Sequence, residues 1–274
     1  MHCPVQRISV VTARLAALLI ALLAMAGCVA TTGRDAPKEK VPGLIVALAE
    51  PAAEPGGRAI AHIKARPGHL SLHPAAVASV RAALQPLDIV TVSSKHRLSA
   101  RFIQGYFTHV AVYLGTAGEL RAEGIAVPAT SKHGAVGPDD AIFIESEHDG
   151  VRLADLPTVL DTDAVAVLRA RMSAEQRQEA RAALVARLGS KFDFHMNADE
   201  DERLFCVELV DHAMPWLKLP RSTFYGRTVI FPAKVAEMAL VGGKLSVVTY
   251  VRASETRWER PGAKALAQAI AGGW

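Results

Sequence analysis

The sequence predicts an α+β domain with a mostly antiparallel sheet. Short stretches rich in β-branched residues come in a block: Leu87–Val92, Thr108–Gly115, Ala141–Glu147, Asp163–Arg169 and Leu245–Val251. Helical patterns flank and interrupt that block, at 75–84, 173–188, 206–213 and 232–241. The strand at 141–147 turns through Asp149-Gly150 straight into Val151-Arg152-Leu153. Short strands flanked by helices in this arrangement are the pattern of an α+β layer fold.

The elements follow in order. Pro74 stands near a helix start, Ala75 to Leu84 form its body, and Gln85-Pro86 stops it. Residues 93–106 are polar and irregular, with a short helix around Leu98 to Ile103. Gly115 closes the strand that begins at Thr108. Residues 117–140 read as a long loop of glycine, proline and charge, a lid or substrate-side insertion. Ser173-Ala174-Glu175-Gln176 is a capping box. The stripe Ala180, Ala183, Leu184 and Leu188 behind it has core spacing, and Gly189 ends the helix. Pro232 opens a further helix and Gly242-Gly243 closes it.

The N-terminus is a processing signal. Arg7 and Arg14 precede an apolar run from Leu15 to Met25, which ends in Ala26-Gly27-Cys28. That run is shorter than the roughly 20 apolar residues needed to span a bilayer. Residues 1–27 are therefore a signal segment, and residues 28–72 a tether. Within the tether, Leu44–Leu48 is an apolar island able to dock on the domain, and the stretch 50–57, with two prolines and Gly56-Gly57, is read as unable to hold a helix. The folded domain is expected over 73–252, and residues 253–274 as a peripheral tail.

Charge excludes one class of partner. Loss of residues 1–27 removes two arginines and no acid, so the net charge falls from +4 to +2. No basic run or aromatic-interleaved basic patch points to nucleic acid.

The cysteines are more telling. Cys3 leaves with the signal and Cys28 is the candidate for lipidation, which leaves Cys206 as a lone thiol. Cys206 stands at the junction between a charged loop, 197–203, and an apolar helix in which Glu208 is an isolated charge. Unpaired N–H groups and the positive dipole end at such a junction favour a thiolate. The plainer reading is a small buried residue filling a helix–sheet gap.

A thiolate nucleophile needs an imidazole, and the imidazole a polar partner. His109 opens the strand 108–115, where surface histidines are also common. Glu145 follows three apolar residues; Glu147 competes with it, two residues on and on the same face. His212 is discounted because six residues from Cys206 is about 600° of helical turn. His195 with Asp193 or Asp199 lacks the spacings of a zinc site, so no metal is expected.

Several segments together carry a family resemblance: Leu87-Asp88-Ile89-Val90, Thr108-His109-Val110-Ala111-Val112-Tyr113-Leu114-Gly115, Phe143-Ile144-Glu145-Ser146, Phe192-Asp193-Phe194 and Phe205-Cys206-Val207-Glu208-Leu209-Val210. In this order they resemble the circularly permuted papain-like hydrolases of the YaeF/YiiX family, and more distantly the NlpC-type and LRAT-like enzymes. The resemblance covers roughly Pro86 to Met214. It implies a circularly permuted papain-like (NlpC-type) fold, with a small, mostly antiparallel sheet against the helix that carries the cysteine. It also implies Cys206 as nucleophile, His109 as general base and Glu145 as the residue orienting the imidazole, with no cofactor.

Leu23-Ala24-Met25-Ala26-Gly27-Cys28 likewise resembles a bacterial lipobox, with Met25 where leucine is usual. Val29 in place of aspartate favours an outer-membrane lipoprotein facing the periplasm, held by its acyl chains. The function implied is a lipid-anchored amidase or peptidase, acting through an acyl-enzyme on peptidoglycan peptides or a similar amide. An LRAT-like acyltransferase or lipase on phospholipid, and a non-catalytic envelope binding protein, are the alternatives. The chain departs from the family pattern at Leu87, where glycine is frequent, at Val207, where serine is, and at Phe205, where tyrosine is. These departures leave the oxyanion hole unassigned beyond the Cys206 N–H.

Overall fold

A computed structural model describes residues 53–224 and 226–273. The expected signal segment 1–27, Cys28, the apolar island 44–48 and the rest of the expected tether up to residue 52 lie outside the described residues.

The first described element corrects an expectation. Residues Ala53–Ala61 form a helix, α1, despite Pro55, Gly56 and Gly57. Pro55 falls in the first turn, where no intrahelical N–H is needed. A Cβ on Gly57 would collide with the Phe194 ring, so the glycine permits a close approach that any other residue would block. Arg58 lies over the same ring, 5.4 Å from its centroid, and pairs with Glu54 one turn back. Tertiary contact overrides propensity here.

The domain also begins earlier than residue 73. Lys64 bridges to Arg97, and Arg66 makes two hydrogen bonds to Asp163, 2.8 and 3.0 Å. The Gly68 N–H donates to Asp161, and a short 3-10 helix at His69–Leu72 buries Leu70 completely. Asp161 and Asp163 lie more than 90 residues away in the chain from these partners, so the sequence pattern before Pro74 does not reveal them.

Helix α2 (Pro74–Ala83) leads to β1 (Ile89–Ser93), a 3-10 turn (Ser99–Phe102) and β2 (His109–Thr116). The expected long loop is partly ordered: α3 (Ala117–Ala122) starts from a capping box of Thr116 and Glu119, and β3 (Thr130–Ser131) pairs with β4 (Gly134–Ala135). Next come β5 (Ala141–Glu147), β6 (Gly150–Asp155), α4 (Leu156–Val159), β7 (Ala164–Ala170) and α5 (Ala174–Ala186). Two short parallel strands, β8 (Lys191–Phe192) and β9 (Arg203–Leu204), precede α6 (Cys206–Ala213). The chain ends with the hairpin β10 (Ser222–Phe224) and β11 (Arg227–Val229), α7 (Pro232–Val241), β12 (Leu245–Ala253), β13 (Trp258–Glu259) and α8 (Ala263–Gly272).

The main sheet has seven strands in the order β13-β12-β7-β1-β2-β5-β6, every pair antiparallel. It is larger than the small sheet expected. Its central strands are apolar on both faces, which explains their nearly unbroken hydrophobic runs. On β7, Ala164, Ala166 and Leu168 join the core beneath α5, α6, α7 and α8, while Val165 and Val167 join a second core with α2, α4 and Leu70. The tail is more than peripheral: Leu266 and Ile270 of α8 are buried in the first core. A pair between buried Asp88 and half-buried Arg169, 2.8 and 2.7 Å, ties the start of β1 to β7.

Candidate active site

Helix α6 begins at Cys206, as its sequence implies, and β8, β9 and β5 hold its start. Asp193 is buried and accepts N–H bonds from His195 (2.8 Å) and Asn197 (2.6 Å), folding the loop ahead of the helix. Ser146 on β5 donates to the Leu204 carbonyl at 2.5 Å. Phe205 packs edge-on against Phe192, 5.8 Å between ring centroids. Glu208 accepts the Phe205 N–H at 2.6 Å. Burial, with Asp193, Asp211 and Glu200 nearby, pushes its pKa up to about 8 against that bond, so its carboxyl is mostly neutral at pH 7.

His109 opens β2, opposite Val92 of β1. Its Nε2 lies 3.0 Å from Glu145 Oε2 on β5 and 3.9 Å from Glu147 Oε1. Cys206 is close enough to the same ring to act on it by hydrogen bonding and by charge. Burial disfavours the imidazolium, but Cys206, Glu145 and Glu147 outweigh it, and the His109 pKa stands well above 6.5. Helix, strand and neighbouring strand thus bring together the three residues that the sequence singled out. Cys206 is 1% exposed and the His109 side chain 16%.

Charges around this group are mutually compensated. Arg152 of β6 donates to Glu145 Oε1 from Nε (3.2 Å) and Nη2 (3.0 Å). Arg97 and His148 pair with Glu147, at 3.4 and 3.2 Å. The His148 hydrogen bond and the charges of His109, Arg97 and Arg152 hold the Glu147 carboxyl far below the usual range although burial opposes them. His109, Glu145 and Glu147 are also the one set of potential metal ligands that converges among the described residues, within 4.8 Å. Both carboxylates there already serve arginines.

Sequence reasoning missed Arg152. The signal was present: a two-residue turn at His148-Asp149 pairs Glu147 with Gly150 and so sets Arg152 opposite Glu145. The discounted residues lie elsewhere. His212 faces Asp201 at 3.4 Å, and Asp193 is taken up by backbone N–H groups.

A family model described as permuted papain-like amidase enzymes, YaeF/YiiX, matches residues 83–249. The chain belongs to that family. It has the permuted papain-like fold and is a cysteine hydrolase of the papain-like amidase class. Comparison with the curated proteins and with the solved structures gives no match. The departures of this YaeF/YiiX member now have physical content. Leu87, where glycine is frequent, has φ +73° and is buried, a conformation that glycine adopts without strain. Val207 and Phe205 are buried in the core and pack where a hydroxyl would need a partner.

Proposed function

We propose that this amidase uses Cys206 as nucleophile, His109 as general acid and base, and Glu145 to fix the imidazole. The observation that carries the reading is the 3.0 Å His109–Glu145 bond on a ring that Cys206 also engages, at the N-terminus of α6. With Nε2–H given to Glu145, Nδ1 is left for the sulfur.

Proton transfer from Sγ to Nδ1 yields a thiolate and an imidazolium, each stabilised by the other. The thiolate attacks an amide carbonyl, and the backbone N–H of Cys206 faces the developing oxyanion. Nδ1–H then protonates the leaving amine and the C–N bond breaks, leaving a thioester. Water, deprotonated by His109, cleaves the thioester and restores the thiol.

The signal segment and Cys28 support a lipid-anchored enzyme on the periplasmic face of the bacterial outer membrane, whose substrate is an envelope amide such as a peptidoglycan peptide. The test incubates the chain with muropeptides and with phospholipid vesicles, and identifies by mass spectrometry the acyl group on Cys206. A peptide-derived thioester is expected. A fatty acyl thioester from the vesicles would replace this reading with an acyltransferase or lipase, and no adduct from either would remove it.

A further inference from the structure

Next to the His109 group, the β3–β4 hairpin overhangs a cavity of about 210 Å3. Its walls are partly apolar, with Val127, Val136, Ile142 and Leu153, and two cations line it, Lys132 and Arg152. Arg152 is the residue that grips Glu145, so the cavity begins one side chain away from the partner of the imidazole.

The two cations are not equivalent. Arg152 is committed to Glu145 and has Asp149 at 3.7 Å. Lys132 has no carboxylate within ion-pair distance among the described residues. Partial burial, then Lys64 and Arg97 and more weakly Arg152, hold its pKa below the usual lysine value, with Asp161 acting against them. The neighbouring cations have carboxylate partners of their own, so Lys132 is the cation at this cavity left to favour an anion over a neutral group.

We propose that this cavity binds the free carboxylate of an amide substrate, with Lys132 as counter-ion and the apolar wall receiving one small side chain. A carboxylate suits the site better than a phosphate, because Asp155 lines the same cavity and would repel a dianion. The volume is below the roughly 300–1,000 Å3 of pockets for drug-sized ligands, which favours one residue of a peptide over a lipid. The inference names the substrate class of the amidase reading above and rests on it for the bond that is cut.

The experiment titrates the full chain calorimetrically with N-acetylalanine and with N-acetylalaninamide, which lacks the charge. The acid is expected to bind about tenfold more tightly or better, as one charge-assisted contact implies. Lys132→Gln removes that preference and Lys132→Arg retains it. Equal binding of acid and amide, no binding of either, or a preference that survives Lys132→Gln overturns the proposal. Alkylation of Cys206 by iodoacetamide in the same wild-type samples separates the two readings. A fast thiol without acid preference removes only the carboxylate site. Acid preference with a thiol of ordinary reactivity removes only the catalytic assignment.

Discussion

Nε2 of His109 stands 3.0 Å from Glu145 and 3.9 Å from Glu147, so two carboxylates share one imidazole but one of them makes the hydrogen bond. Glu145→Gln is therefore expected to slow Cys206 alkylation by about tenfold or more, since the amide no longer stabilises the imidazolium. Glu147→Gln acts through charge alone and should cost several-fold less. Equal effects, or the reverse order, would reassign the orienting residue.

Glu208 predicts a pH dependence of stability. Its folded pKa of about 8 lies above the ordinary carboxyl value, so the folded state holds a proton that the unfolded state has lost. Its contribution is complete below about pH 4.5 and diminishes as pH rises to about 8, by up to roughly 1.4 kcal/mol per pH unit. Glu208→Gln keeps a neutral side chain able to accept the Phe205 N–H. Denaturant titrations should show the variant gaining on wild type between pH 5 and 8, with no further gain above that. A constant difference across the range would mean that Glu208 is not neutral in the fold.

Leu87 sets two costs against each other. Its left-handed backbone (φ +73°) costs an L-residue roughly 1–2 kcal/mol, while its buried side chain is worth about 2–5 kcal/mol relative to alanine. Both Leu87→Ala and Leu87→Gly should destabilise the domain. Glycine should be the milder by about 1 kcal/mol, the reverse of the order within a helix or strand. Midpoints of urea unfolding give the comparison, and a glycine variant weaker than alanine would show that the backbone there is unstrained.

How far the sequence could be read depended on how local the cause was. The helix at Cys206 was legible because Glu208 is an isolated charge among apolar residues, and the strands because their two buried faces leave continuous hydrophobic runs. Thr116 and Glu119 carried a visible capping box at the start of the stretch read as loop. Helix α1 was not legible: Gly56 and Gly57 disfavour it intrinsically, and Phe194, far along the chain, supplies the surface on which it rests. The Arg66–Asp163 and Asp88–Arg169 pairs join residues 97 and 81 positions apart, and local pattern holds no trace of them. Glu145 and Glu147 share a strand face, so only coordinates distinguish which one meets the histidine.

The central claim is that Cys206 and His109 act as one unit, and the rate of Cys206 alkylation by iodoacetamide at neutral pH tests it most directly. The account predicts a wild-type rate well above that of a model thiol, falling by a factor of ten or more in His109→Ala. A wild-type rate equal to the model thiol and unaltered by the substitution would contradict it.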